Sequence, residues 1–356
     1  MNIVNTYIVR EILKGSLVAL IVLLTLFNLF TFSDELKDIG KGDYQLREIM
    51  LYLALISPTV LYELMPASAL LGSLFVMGSM ANNRELVAMQ AAGLSVFGII
   101  KAILLAGLIL AIIDVIIGEF IAPDTQQDAQ ILRSTAQNKQ IVLQTRYGLW
   151  LREGNTFINI RQIASGDKMA DINMYQLNDN FHVIKILHAN EANFISNNRW
   201  LLNQVKLTQL NPERITTLET PEQTWESNIG PELLNMVAVS ADNLSLYDLK
   251  MYVDFLRNNN QKSQVFELAL WGRIVNPLVI FVMLLVSAPF VIGIKRGISV
   301  GSRIMIGVAI GMSFNVFDKI TGHLGLIYDL NPALMAFLPS MLVLSIGLYT
   351  ISRMRV

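Results

Sequence analysis

Gly15-Ser16-Leu17-Val18-Ala19-Leu20-Ile21-Val22-Leu23-Leu24-Thr25-Leu26-Phe27-Asn28-Leu29-Phe30-Thr31-Phe32 contains no charged side chain. A helix of this length can cross the hydrocarbon core of a bilayer, where backbone N–H and C=O groups must find partners within the segment. The run is longer than the apolar stretch of a secretory signal. Thr31-Phe32-Ser33-Asp34 offers no small-residue cleavage site, so the segment reads as a retained anchor.

Working outward, residues 274–294 and 330–352 are apolar runs of the same kind. Residues 50–81 are apolar except for Glu63 and carry Pro58 and Pro66, which predicts a tilted or kinked helix. Residues 96–121 hold Lys101, Asp114 and Glu119, and the shorter run 302–317 is bracketed by Arg303 and Asp318. Six spanning helices are expected. The composition agrees: of 356 residues 53% are hydrophobic and 15% charged, against about 25% charged in soluble domains, and mean hydropathy is +0.48.

Charges of the two signs nearly cancel, 27 Lys and Arg against 28 Asp and Glu, which gives no footprint for nucleic acid. The absence of cysteine excludes disulfides, thiolate metal sites and cysteine nucleophiles. His182, His188 and His323 are too scattered to form a metal cluster. With the N-terminus inside, the inner segments hold Arg10, Lys14, Arg84, Lys101, Lys295, Arg296, Arg303, Arg353 and Arg355. The short outer loops then hold only Lys37, Lys41, Arg47 and Lys319. Basic residues favour the inner side, so both termini are expected in the cytoplasm.

Residues 123–262 differ in composition. Candidate strands at 156–161, 171–177, 181–189, 200–210 and 214–218 are separated by turn residues such as Glu153-Gly154-Asn155 and Asn211-Pro212. Short strands at such spacing predict an antiparallel sandwich or open barrel outside the membrane. It serves either as a spacer or as a binding domain. Ser245 and Asp248 open an amphipathic helix with Leu246, Leu249, Val253 and Leu256 on one face. The expected division is therefore 1–122 with three helices, 123–262 as the inserted all-β domain, and 263–356 with three more helices.

Gly40-Lys41-Gly42 lacks the rest of a phosphate loop, and no H-E-x-x-H occurs. Gly297-Ile298-Ser299-Val300-Gly301 matches G-x-S-x-G but falls between two spans, where it reads as a turn rather than a nucleophile elbow. No catalytic residue, metal site or cofactor is assigned. Glu63, Asp114 and Arg273 are intramembrane charges: snorkelling to the interface explains the acids near a helix end, and functional burial is the alternative. Arg273, near the outer start of the fourth helix, is placed either to neutralise one of these acids or to face a cavity. Gly72, Gly78, Gly307 and Gly311 are candidates for close helix seams.

The inner loop Arg84-Glu85-Leu86-Val87-Ala88-Met89-Gln90-Ala91-Ala92-Gly93 has helical spacing of Leu86, Met89 and Ala92/Gly93. It predicts a short helix around 83–93, either lying on headgroups or serving as a knob for a cytosolic motor. This segment resembles the coupling segment of the LptF/LptG permeases of lipopolysaccharide export, and the likeness runs along nearly the whole chain. Residues 34–44, Tyr147-Gly148-Leu149-Trp150 and Trp271-Gly272-Arg273-Ile274-Val275-Asn276-Pro277 are similar to the LptG branch rather than its paralogue.

The resemblance implies a non-catalytic half-transporter of an ABC system in the Gram-negative inner membrane. It would pair with an LptF-like permease and sit on two copies of an LptB-like ATPase, which binds the ATP. Its β-jellyroll-like domain would lie in the periplasm and meet an LptC-like single-span protein. Lipopolysaccharide would enter through a lateral gate of the first and fifth helices of opposite subunits. Carried over, Arg84, Glu85, Leu86 and Met89 would couple to the ATPase, and Lys37, Lys41 and Arg133 would contact substrate phosphates. Leu26, Phe27, Phe30, Phe314, Val316 and Phe317 would line the apolar cavity or gate. Acidic Asp34, Glu35 and Asp38 beside those cations leave a cation-bridged ligand as an alternative. Two other readings remain, a mechanotransmission scaffold that passes no substrate and a membrane-anchored envelope-lipid enzyme. Residues 123–262 offer no catalytic cluster for the enzyme.

Overall fold

The computed structural model describes residues 3–137, 149–165, 167–178, 180–196, 198–211, 214–227, 229–231, 233, 234, 241–292 and 300–352. Several sequence features lie outside the described residues: Tyr147 and Gly148, Lys295 and Arg296, Gly297 to Ser299, and the terminal Arg353 and Arg355. The chain forms two compact units, one of Met1–Lys37, Ile49–Ala129 and Gln264–Val356, the other of Asp38–Glu48 and Gln130–Ser263.

The first unit is helical: α1 (Ile3–Glu35), α2 (Leu46–Asn82), the short α3 (Glu85–Ala91), and α4 (Val96–Ile116). A π-helical turn, Ile117–Ile121, runs without a break into α5 (Ala122–Ala136), whose first half lies in this unit. After the second unit come α7 (Gln264–Ile292), α8 (Val300–Ile327) and α9 (Pro332–Ser352). Among the described residues six helices are long and apolar enough to span a bilayer. They outrun the apolar runs that announced them, since α8 continues to Ile327 and the third span to Ala136. Pro58 and Pro66 both sit inside α2. Several hydroxyls within the spans bond back to their own helix, as Thr25 does to the Ile21 carbonyl at 2.8 Å and Thr31 to Phe27 at 3.0 Å.

The core of this unit draws Ile8 and Ile12 from α1, Leu70 and Leu74 from α2, Ile103 from α4 and Ile280 from α7. Burial is uneven. In the most apolar stretch of each helix the buried share is 56% for α2 but 17% for α1 and 11% for α8. Glycines set the closest approaches: a Cβ on Gly72 would lie 2.3 Å from the Ser16 nitrogen, and one on Gly15 2.9 Å from the Gly72 carbonyl oxygen. Gly307 faces Leu71 and Leu74 in the same way, whereas nothing lies within 4 Å of a Cβ on Gly311. Three of the four sequence-flagged glycines thus sit in contacts, and Gly311 does not.

The second unit holds six described strands in one antiparallel meander: β1 (Leu149–Glu153), β2 (Thr156–Ser165), β3 (Lys168–Leu177), β4 (Val183–Ser196), β5 (Arg199–Leu210) and β6 (Ile215–Glu226). The jellyroll-like expectation takes a particular form here, a single sheet with a crease. In the four central strands the buried face skips a residue at the same level: Ile160 to Ile163, Ile172 to Met169, Ala189 to Ala192, and Val205 to Leu202. The flanking pairs place Arg161, Asp171, Asn190, Gln204 and Pro221 in one row across that level. Asp171 and Gln204 are left-handed there, with φ of 52° and 53°. A ladder interrupted at one level in every strand bends as a whole, and residues from both sides of the crease share one core with Trp200 and Leu234. Among the described residues β6 is an edge strand, where Pro221 is tolerated. The amphipathic helix is α6 (Leu246–Asn258), capped by Ser245, whose Oγ accepts from the Asp248 nitrogen at 3.1 Å.

Gly72→Ala is expected to cost about 1–3 kcal/mol by overpacking backbone against backbone, read as a lower unfolding midpoint in detergent. Gly311→Ala, in open space, is expected to leave the midpoint unchanged.

Candidate coupling and transport site

The segment between α2 and α4 is built around α3. Arg84 turns the chain with a left-handed φ of 61°, and α3 ends in a Schellman motif. The Leu94 nitrogen reaches the Met89 carbonyl at 3.0 Å and the Gly93 nitrogen reaches Gln90 at 2.9 Å, with Gly93 at φ 96°. Ser95 then caps α4, its Oγ accepting from the Gly98 nitrogen at 3.2 Å. Leu86 is buried and Met89 and Leu94 pack against the helical core, so these side chains seat α3. What α3 leaves exposed is Val87, Ala88, Gln90 and Ala91, small or neutral residues that spacing alone does not single out. Glu85 is half-buried, and its Oε2 accepts from the Tyr7 hydroxyl of α1 at 3.0 Å. Tyr7 was not legible as part of this site, because its partner is 78 residues away.

At the other end of α1, the expected phosphate-binding cations all have carboxylate partners. Lys37 pairs with Asp34 at 2.7 Å, both well exposed. In the second unit Asp38 gathers Lys41 at 2.6 Å and Arg133 at 3.2 Å, and accepts from the Gln137 amide at 3.4 Å. The structure therefore brings Lys41 and Arg133 together on Asp38, while Lys37 belongs to a separate pair. The Lys37–Asp34 pair is exposed and so worth little in water, whereas Asp38 is largely covered and holds three partners.

Midway along the bundle, the charges flagged in sequence behave differently from one another. Asp114 is fully buried rather than snorkelling, and Glu63 is exposed within the chain. Arg273 on α7 is 7% exposed; its Nη1 donates to the Gly118 carbonyl at 2.7 Å and to Glu119 at 3.2 Å. Asn276, one turn on, donates to Asp114 Oδ2 at 3.2 Å and to the Tyr62 carbonyl at 3.4 Å. The Tyr62 ring lies under the Arg273 guanidinium, 5.4 Å from its centroid. The cause is local. In the π-helical turn Ala122 bonds to Ile117, and the next residue, Pro123, has no N–H to offer Gly118. Arg273 supplies that donor. A side chain at 118 would strike the Tyr62 ring at 2.5 Å, so only glycine fits.

The candidate gate residues fall into two groups. Leu26, Phe27 and Phe30 are exposed on α1, as is Val316 on α8. Phe314 and Phe317 instead face a cavity of about 590 Å³ walled by α7, α8 and α9, with Phe290, Ile310, Ser313 and Leu342 around it.

Among the described residues, six spans, an inserted sheet, a short helix seated on the bundle and two under-buried helices define a multi-pass membrane protein of the permease class. The family described as lipopolysaccharide export system permease LptF/LptG matches residues 6–353, and the chain belongs to it. It is 31% identical to the lipopolysaccharide export system permease protein LptG of Haemophilus influenzae over 99% of both chains. It is 32% identical to the protein of that name from Escherichia coli K12, over 99% of this chain and 98% of the relative. The LptG-like stretches noted above agree with those names.

Arg273→Met is expected to destabilise the bundle by about 3–5 kcal/mol, because it leaves the Gly118 carbonyl and Glu119 without this donor in hydrocarbon. The checks are the unfolding midpoint and proteolysis of the purified chain.

Proposed function

We propose that this chain is one permease subunit of an ABC-type exporter that extracts lipopolysaccharide from the inner membrane and hands it to a periplasmic bridge. The observation that carries the proposal is the low burial of α1 and α8, 17% and 11%, within a chain that covers α2 and α7 well. A paralogous permease would cover part of those faces, and the rest would border a cavity for acyl chains. The exposed Phe27, Phe30 and Val316 supply apolar lining. The Lys37, Lys41 and Arg133 pairs supply cations at the rim that exchange a carboxylate for a substrate phosphate. The family match and both named relatives support lipopolysaccharide as the cargo.

In this reading α3 faces the cytosol and takes up force from a separate ATPase, two copies serving the pair of permeases. Glu85 offers the charge, held by Tyr7 toward α1, and Val87, Ala88, Gln90 and Ala91 form the surface that seats in the ATPase groove. The strand-rich unit stands in the periplasm, where it receives the substrate and meets a single-span LptC-like partner. Both termini are cytoplasmic. ATP is bound by the partner alone.

Co-expression and purification of the tagged chain is expected to bring down an ATPase and a second six-span protein. Glu85→Lys is expected to lower ATPase recovery at least about tenfold, the size of one charge-assisted hydrogen bond, while the second permease is retained. Unchanged ATPase recovery would reject the docking role of Glu85, and absence of both partners would reject the half-transporter.

A further inference from the structure

A second guanidinium is buried in the helical unit, at the inner end of α8, and its arrangement differs from that of Arg273. Arg303 is 6% exposed. Its Nη2 donates to Asn82 Oδ1 at 3.1 Å, and neither Nε nor Nη1 has a hydrogen-bond partner among the described residues. Its stem lies on the backbone of α2, where a Cβ on Gly78 would sit 2.4 Å from Nη1 and 2.8 Å from Cδ. One turn further along, Gly307 takes Leu71 and Leu74 of α2 against its own backbone. The start of α8 thus packs closely on the stretch of α2 from Leu71 to Asn82, through Gly78 and Gly307.

Asn82, the acceptor, is the final residue of α2. Only Asn83 and Arg84 separate it from α3, and both are tied down, the Asn83 nitrogen to Ser79 at 2.9 Å and the Arg84 nitrogen to Ala81 at 3.2 Å. A displacement of α3 therefore has almost no slack before it moves Asn82. Asn82 in turn holds a cation whose Nε and Nη1 have no hydrogen-bond partner among the described residues. A buried charge with one neutral acceptor is held at a cost, so the contact is poorly suited to be a stability device. It is well suited to break and re-form, because a small shift of α8 that hydrates the guanidinium recovers part of that cost.

We infer that Arg303 is a positioning residue that passes movement of α3 to α8 through Asn82. The inference rests on the proposed function, in which α3 receives force and α8 borders the gate. It adds the connection between them, a single charged side chain seated on Gly78.

The test uses the assembled complex in lipid nanodiscs. Because the chain has no cysteine, Met312→Cys on α8 and Met341→Cys on α9, both exposed, can carry spin labels for distance measurement with and without a trapped ATP analogue. The parent is expected to show a nucleotide-dependent shift between the labels. Arg303→Met and Asn82→Leu should each reduce the shifted population about tenfold, with the ATPase still bound, and the double substitution should do no more than either alone. Asn82→Asp, which keeps an acceptor for the guanidinium, should retain the shift. A full shift in Arg303→Met, or additive losses in the double substitution, would overturn the role of Arg303 and leave the proposed function standing. Failure of the parent to bind the ATPase would overturn both. Asn82→Leu lies at a helix end, so it reports on the connection even if Arg303→Met does not fold.

Discussion

A carbonyl stranded in hydrocarbon must find a donor, and Pro123 strands that of Gly118. The bundle answers with Arg273, brought from 155 residues away. That one requirement fixes much else: the π-helical turn, the glycine that admits Tyr62, the burial of Asp114 beside Asn276, and the joining of α2, the third span and α7. Those helices are the well-buried part of the bundle, whereas α1 and α8 are left with their apolar faces turned outward. The proposed sharing of a substrate path with a second permease would use this division between a joined block and open walls.

The strand-rich unit solves a different problem. A six-stranded meander has two edges and, if flat, one face that water would cover. The crease at Arg161, Asp171, Asn190 and Gln204 lets a single sheet enclose its own apolar side. The cost is two residues in left-handed backbone and a polar row on the outer surface, where Arg161 pairs with Asp171 at 3.4 Å and Asn190 bonds to Gln204.

The number and order of spans were readable because bilayer thickness imposes length, and length is visible in composition. Their ends were not: residues 318–327 and 122–136 are polar enough to look like loops, yet α8 and α5 continue through them. Strand positions were approximately readable from turn residues. The crease was not, because it shows only as a skipped residue at matching levels of four strands, and levels require the register. Around α3 the helix and its glycine stop were plain. The division of labour was not, since Leu86 and Met89 look like a docking stripe but are anchors, and Tyr7 joins the site only through the fold. Arg133 came from family likeness, and its sharing of Asp38 with Lys41 depends on contacts nearly a hundred residues apart.

In the proposed function the chain is one wall of a lipid path whose driving force arrives from outside it. A photo-crosslinker at Phe30, exposed on α1, tests that most directly in vesicles containing the complex, with a second at Leu334, exposed on α9, for comparison. Capture of lipopolysaccharide at Phe30 that falls when ATP is supplied, with none at Leu334, is the predicted result. Equal capture at both positions, or capture at Phe30 indifferent to ATP, would contradict it.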